Sequence, residues 1–500
     1  METLHDLAQA TGGRILPTDR IQDAAGTALG RMVTDSRQVE ASDIFWALSG
    51  PNYDGACFIH EAFRRGARGV VASRMETVPE DGWVLNVDDT QRALEQWARW
   101  KRRRFSGIVI AVTGSVGKTT TRQMIHTVLQ GRLKGTASPR NYNNQWGVPL
   151  SMLALEPQHD YAVLELGANR AGEIAMLAEL CAPKVGVITQ LGDAHLGGFG
   201  CRQGVAEAKA ELLAALPGSG HAVLADDSWL RALSSRCAAP ITWIGGGPRC
   251  DLRAVNIECR QGRLEFHVAC GAGAPAAGSR GGKQPVRFSI PVWGRHHVNA
   301  ALASVAVGRM LGLDLEEIAA ALANYQAVPM RCEVTEIRGA TIINDTYNSN
   351  PTAMRAALEL LHDFDTAGRR IVICGDMAEL GTQSIALHWQ MGKDIVQIAE
   401  AELVIACGRF ARHVTAGARS TGLVRARAVP CDTIEDAMPY VGRAVLPGDI
   451  VLVKGSRVMA MERLIDALKQ YPQPKYDMVG LHGHAVPQPT LPMYPQRKSA

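Results

Sequence analysis

The sequence predicts an α/β protein of three domains: a small α/β domain over residues 1–104, a central parallel-sheet domain over 105–327 and a C-terminal Rossmann-like domain over 328–470. Three observations carry this. Short apolar runs alternate with helix-length stretches along nearly the whole chain, as in layered α/β folds. The character of those runs changes near residues 105 and 328. The 500 residues, at roughly 150 per domain, make about three units. An apolar fraction of 46% with 20% charged residues excludes a disordered or fibrous chain.

In the first domain, β-rich runs at 43–48, 70–72 and 83–87 alternate with helical stretches at 57–65 and 90–104. The run from Trp100 through Lys101, Arg102, Arg103 and Arg104 closes the last helix, where basic residues suit the macrodipole; a solvated helix end is expected. From Ile108 the runs become continuously apolar, at 108–112, 161–164 and 185–188, as in parallel strands covered on both faces. Residues 253–292 read as strands around a low-complexity loop at 271–285, which is assigned no structure. The third alternation places strands at 340–343, 371–374, 403–406 and 450–453. Prolines and polar residues dominate 471–500, and a disordered tail is expected there.

Fifty-three Lys+Arg against 49 Asp+Glu leave a charge of +4, too small on this length to argue for nucleic acid or an anionic membrane. No apolar run approaches the ~18 residues of a membrane-spanning helix, and residues 1–14 carry Glu2 and Asp6 instead of the apolar core of a signal peptide. Eleven cysteines, odd in number and without C-x-x-C, read as reduced thiols. The expectation is a cytoplasmic protein with neither nucleic-acid partner nor membrane insertion.

The strongest local signal is the strand from Ile108 that runs into Gly114-Ser115-Val116-Gly117-Lys118-Thr119-Thr120 and a helix. Glycines let backbone amides approach phosphate oxygens, the helix N-terminus attracts anions, Lys118 reaches the outer phosphates and Thr119 can hold Mg²⁺. The usual spacing would put a glycine at Val112, so this is a shortened variant. Glu165 ends the second central strand, where a metal ligand or a merely solvated carboxylate would sit. His195 follows the third strand at the same sheet mouth, as a site residue or a structural histidine. Lys209 shares a helical stripe with Val205, Leu212 and Leu216. It either snorkels to water or is desolvated with a reactive amine, and the stripe alone favours snorkelling.

In the third domain, Asp345, Tyr347, Asn348 and Asn350 follow one strand, with Asn350 as helix N-cap and Pro351 as first helical residue. Gly375 to Gly381, containing Glu379, follows the next strand, and Lys454-Gly-Ser-Arg457 the last. Three strand ends thus offer acids, amides and a cationic pair to one crevice. The residues alone reach an Mg²⁺-dependent enzyme using ATP or a relative for phosphoryl transfer.

In their order, Thr113-Gly-Ser-Val-Gly-Lys-Thr-Thr120, Asn141-Tyr-Asn143-Asn144-Gln-Trp-Gly147, Glu165-Leu-Gly167, Gly172-Glu-Ile174, the 189–196 loop and Lys209 resemble the Mur ligases, ATP-dependent amino-acid and dipeptide ligases of peptidoglycan precursor synthesis. Tyr347-Asn-Ser-Asn-Pro351, Gly375-Asp-Met-Ala-Glu-Leu-Gly381 and Lys454-Gly-Ser-Arg457 resemble the branch that joins D-alanyl-D-alanine to a UDP-N-acetylmuramoyl-tripeptide. The resemblance implies a UDP-substrate domain at the N-terminus, marked by Asp35-Ser36-Arg37, and a central ATPase domain. It implies that the tripeptide carboxylate takes the γ-phosphate to give an acyl phosphate, which the dipeptide amine then attacks. Lys118, Glu165, His195 and Lys209 would be catalytic, with Thr119 and Glu165 on one Mg²⁺ and His195 with an N6-carboxylated Lys209 on a second. ATP would be held by residues 114–120, Arg331 and Asp345, and the other substrates by Ser36, Arg37, Asn143, Asn144, Asn348, Asn350, Glu379, Lys454 and Arg457. One departure stands out: after Gly294-Arg295-His296 the family shows Asn-x-x-Asn, the last contacting adenine, whereas this chain has His297 and Ala300, with Asn299 one residue early. The competing readings are the sibling ligase that adds the third amino acid and a non-catalytic nucleotide switch. The third residue of the peptide, diaminopimelate or lysine, is not legible.

Overall fold

The computed structural model describes residues 2–17, 26, 28–50, 53–74, 82–271 and 286–471. The expected loop at 271–285 and tail at 471–500 lie, but for Gly271 and Tyr471, outside these residues.

The first sheet runs Arg14–Leu16, Trp83–Asn86, Gly69–Ala72, Ile44–Trp46, Met32–Val33 across its width; the first pair is antiparallel and the others parallel. Its long helix, Thr90–Arg104, starts at Asp89, whose carboxylate accepts from the amides of Gln91 and Arg92 at 2.7 and 3.0 Å. Trp97 is wholly buried beneath that helix and stacks on Trp100 with ring centroids 4.5 Å apart. The helix end is not simply solvated, contrary to the expectation for its basic run. Lys101 is buried and pairs with Glu2 at 2.7 Å. Arg102 donates to the carbonyls of Cys181 and Ala182, both at 2.7 Å, and so caps the C-terminus of the Glu173–Cys181 helix beside the central sheet.

The central sheet has nine strands: Val286–Ile290, Arg263–Cys270, Leu252–Arg260, Ile241–Gly245, His221–Ala225, Val185–Ile188, Ile108–Thr113, Tyr161–Glu165, Gly135–Ala137. Arg263–Cys270 is antiparallel to both of its neighbours, and the seven strands from Leu252–Arg260 onward are mutually parallel. Val109, Ile110, Ala111 and Val112 are all fully buried because helices cover both faces. On one side lie Met124, Ile125, Val128 and Leu129 of the Lys118–Leu129 helix; on the other, the Glu173–Cys181 and Arg202–Ala214 helices. Chain order reverses at Ile108–Thr113, which has Tyr161–Glu165 on one side and Val185–Ile188 on the other. A crevice therefore opens beyond its carboxyl end, where ligands of such sheets bind.

The third sheet runs Glu333–Ile337, Ala340–Asp345, Ile450–Lys454, Arg370–Cys374, Leu403–Cys407, Ala428–Cys431, antiparallel only in its first pair. Its crevice lies beyond Asp345, Lys454 and Cys374, where the last strand inserts between two earlier ones. Leu196 and Val205, from the central part of the chain, belong to this sheet's apolar core with Met377 and Leu380, so the two units share buried surface. No helix among the described residues is long and apolar enough to cross a membrane.

Trp97 fills the space between the first sheet and its helix, so Trp97→Ala is expected to cost about 3–5 kcal/mol. A urea titration followed by circular dichroism should show the earliest transition at lower denaturant; an unmoved midpoint would contradict this packing.

Candidate active site

The carboxyl ends of the central and third sheets face each other across a cavity of about 390 Å³. Its floor is the phosphate loop. Gly114 has φ 143°, and a Cβ there would sit 2.0 Å from the Thr189 hydroxyl; Gly117, with φ 86°, is the left-handed N-cap of the Lys118–Leu129 helix. The amides of Ser115 and Val116 donate to the Gln190 carbonyl at 3.0 and 3.3 Å, and the Thr189 hydroxyl donates to the Val116 carbonyl at 2.7 Å. The loop is thereby fixed to the exit of the adjacent strand. The Lys118 ammonium donates to the Gly114 carbonyl at 2.8 Å. Its pKa is lowered by desolvation and by Arg331, with Glu165 opposing.

Glu165 is 1% exposed. Its Oε1 accepts from Asn143 Nδ2 at 2.8 Å, while Oε2 lies 4.0 Å from the Arg122 guanidinium and has no hydrogen-bond donor. Arg122, which the sequence reading did not single out, is itself buried and donates to the carbonyls of Ser138 and Arg140. Burial lowers its pKa, Glu165 opposes and Arg331 adds to the lowering. Asn144 lines the cavity and accepts from the amides of Trp146 and Gly147 at 3.1 and 2.9 Å, which holds the turn carrying Asn143.

His195 lies at the cavity wall with φ 54°, and its Nδ1 faces the Glu379 carboxylate across the junction of the two units. The hydrogen bond to His195 holds the Glu379 carboxyl below its ordinary range against partial burial. Nearby, the Gly197 amide donates to the Glu379 carbonyl at 2.9 Å and the Asp193 amide to the Thr352 hydroxyl at 3.2 Å. Gly192 leaves room for that approach, since a Cβ there would lie 2.3 Å from the Thr352 hydroxyl.

Lys209 does not snorkel, contrary to what its stripe favours. It is 1% exposed; its ammonium donates to the Ala168 carbonyl at 3.3 Å and sits 5.2 Å from the Phe199 ring centroid. Ala168 and Phe199 meet the ammonium from other segments, which the helical repeat cannot show. Desolvation first, then the Lys118 charge, lower its pKa to about 7, with Glu211 and Glu173 opposing. It lies behind the cavity wall and is not among the residues that line it.

From the third sheet, Arg331 donates to the Thr119 hydroxyl at 3.1 Å and lies over the Tyr347 ring at 4.2 Å. Lys454 and Arg457 both line the cavity, in different settings. Lys454 is 2% exposed, bound to Asp345 Oδ2 at 2.5 Å and to the Asn348 carbonyl at 2.8 Å, because its strand inserts beside Asp345. Arg457 stays half-exposed at the rim, 2.8 Å from Glu462. Asn348 and Asn350 line the cavity, and Asn350 caps the Pro351–His362 helix through the Ala353 amide at 2.8 Å. His296, His297, Asn299 and Ala300 also line it. Burial pushes the His296 imidazole down to about 4 and His297 well below its ordinary value. Ser36 and Arg37 are not brought here: Ser36 faces Glu61 at 3.4 Å and Arg37 pairs with Asp35 at 2.8 Å.

Residues 112–308 match the Mur ligase middle domain, and residues 330–457 match the family of the Mur ligase glutamate ligase domain. The UDP-N-acetylmuramoyl-tripeptide--D-alanyl-D-alanine ligase of Bacillus subtilis is 32% identical over 448 residues, 89% of this chain and 94% of that protein. A crystal structure of MurF from Acinetobacter baumannii superposes with a TM-score of 0.80 at 31% identity, covering 93% of this chain and 98% of that one. MurF ligase from Thermotoga maritima, crystallised with ADP, gives 0.73 at 28% identity over 89% and 98%.

The depressed Lys209 pKa has a signed consequence. Unfolded, the amine holds its proton up to its ordinary value near 10.5; folded, it gives it up near 7. The unfolded state therefore binds more protons between those values, and stability contributed at this position is fully present above 10.5 and lost as pH falls towards 7. In CO₂-free buffer, the stability advantage of Lys209→Met over the unsubstituted chain should grow as pH is lowered from 10 to 7. Urea midpoints that differ equally at both ends would show that the amine does not titrate as argued.

Proposed function

The chain belongs to the Mur ligase family, and from that premise we propose that it ligates D-alanyl-D-alanine to UDP-N-acetylmuramoyl-tripeptide at the expense of ATP. The observation that carries this reading is the single cavity into which the phosphate loop and the polar strand ends of the third sheet both open. A nucleotide switch has no use for the second half of that cavity.

The tripeptide carboxylate attacks the γ-phosphorus of ATP; its P–O bond forms as the bond to ADP breaks. The dipeptide amine then attacks the acyl carbon, phosphate leaves and the amine loses a proton. The Lys118 ammonium and the Arg331 guanidinium flank the loop and neutralise charge on the transferring phosphoryl group. His195 and Glu379 meet where carboxylate and amine must meet, and Glu379 offers an acceptor to the incoming ammonium. Asn348, Asn350 and Arg457 supply amides and a cation at the rim for the rest of the dipeptide. Asp345 and Lys454 act behind them, as the pair that fixes the turn. Residues 1–104 hold the UDP end through Ser36 and Arg37, residues 105–327 hold ATP and residues 328–470 hold the dipeptide.

The oxygen donors suit Mg²⁺. Glu165 Oε2 is buried without a hydrogen-bond donor beside the Thr119 hydroxyl's loop, a position that a hard cation would satisfy. When bound, the ion would supply charge neutralisation to the phosphates. His195 and Lys209 fit a second cation only if Lys209 is first converted, because its amine is a donor directed at Ala168. A neutral amine attacks CO₂, an N–C bond forms, one proton leaves to water, and the donor becomes an anion. Such a carbamate also turns the repulsion between Lys118 and Lys209 into attraction.

Phosphate release measured with and without each substrate tests the reaction. It should require the UDP-linked tripeptide and rise further only with D-alanyl-D-alanine; equal release without muramyl substrate would favour a nucleotide switch.

A second measurement addresses Lys209. Lys209→Met should ligate at least ~100-fold more slowly, the scale of a lost electrostatic contact in the transition state. The unsubstituted enzyme should lose activity in bicarbonate-depleted buffer below the Lys209 pKa of about 7 and regain it on adding bicarbonate. Wild-type rates from Lys209→Met would remove Lys209 from the metal site.

A further inference from the structure

Two imidazoles and a thiol converge in the wall of the cavity. The ligand atoms of His296, His297 and Cys332 all lie within 4.8 Å of one another, and Cys332 Sγ is 3.7 Å from His296 Nε2. His297 and Cys332 are buried, and the two rings sit with centroids 4.1 Å apart and planes tilted by 45°. Tetrahedral zinc, with Zn–N of about 2.0–2.1 Å and Zn–S of about 2.3 Å, requires donors roughly 3.3–3.8 Å apart. The sulfur–nitrogen pair already meets that spacing.

We infer that His296, His297 and Cys332 form a binding site for a zinc-class divalent ion that joins the central and third parts of the chain. The histidines come from the Arg295–His297 turn before the Val298–Met310 helix, and the cysteine from the turn that leads into the third sheet. That turn is unusual: Met330 and Cys332 both have positive φ, 59° and 50°, although neither is glycine. The Cys332 amide donates to Asp345 Oδ1 at 3.3 Å, which fixes the residue within reach of the imidazoles. One soft and two borderline donors select zinc, cobalt or copper over magnesium, which prefers oxygen. Three protein ligands leave the fourth position open to the cavity, where water completes the shell. As the S–metal bond forms, the S–H proton leaves to solvent, and the thiolate offsets part of the ion's charge near Arg331 and Lys454.

Cobalt(II) titration of the whole purified chain, kept reduced with a phosphine and freed of metal by chelation, tests this without reference to ligation. One equivalent should produce a thiolate-to-cobalt charge-transfer band that zinc abolishes. The band should vanish in Cys332→Ser and weaken at least tenfold in apparent affinity in His297→Ala; a band retained in Cys332→Ser overturns the site. X-ray absorption of the zinc-loaded unsubstituted protein needs no variant: one sulfur with two imidazoles supports the assignment, and a shell without sulfur overturns it. Because both readouts are spectroscopic, their failure would leave the proposed ligation untouched.

Discussion

The hydrogen bond from Arg331 to the Thr119 hydroxyl, 3.1 Å long and spanning 212 residues of sequence, sets the position of the third sheet over the phosphate loop. What holds Arg331 out is a chain of buried polar contacts. Asp345 accepts from the Cys332 amide with one oxygen and from Lys454 with the other, and Lys454 in turn binds the Asn348 carbonyl. One carboxylate thereby fixes the turn that carries Arg331 and the turn that carries the two asparagines. Leaving either member of such a buried pair alone costs about 3–5 kcal/mol, so the pair holds these two turns in place at the wall of the cavity that both residues line.

The cations of the site are also arranged against one another. Arg331 lowers the pKa of both Lys118 and Arg122, and Lys118 lowers that of Lys209. Glu165 opposes this at Lys118 and Arg122, and Glu211 and Glu173 oppose it at Lys209; one Glu165 oxygen has no donor. A cluster of mutually repelling, partly desolvated cations is stabilised by any polyanion that enters it. The fold holds the cluster in place before the nucleotide arrives, so little reorganisation remains when charge develops.

The sequence was most legible where one residue type had one physical use. Continuous apolar runs marked the central and third strands because those strands are covered on both faces, and the Asn350-Pro351 pair marked a helix start through its capping chemistry. The strands His221–Ala225 and Ile241–Gly245 escaped because His221 and two alanines leave only Val223 and Leu224 strongly apolar in the first, and Thr242 and Gly245 interrupt the second. Pairings across long separations were invisible for a different reason. Lys101 reads as a solvated helix end until Glu2 is placed beside it, and the partner of Lys454 is invisible until its strand inserts next to Asp345. Lys209 shows the limit most plainly: periodicity put it on the apolar stripe, but whether its amine reaches water depends on Ala168 and Phe199, which come from other segments.

Leu196 and Val205 enter the apolar core of the third sheet, and a few hydrogen bonds at Asp193, Gly197 and Thr119 accompany them. Burying one or two such side chains is worth about 1.5–3 kcal/mol each, and each hydrogen bond adds about 1 kcal/mol net. Those contacts alone come to roughly 6–9 kcal/mol, and the Trp293–Phe364 ring stack and the His195–Glu379 pair add to them. Free energies of that size exceed the roughly 5.5 kcal/mol of differential ligand affinity that moves a two-state equilibrium from one side to the other. The joint is strong enough to keep the cavity assembled before any ligand enters it.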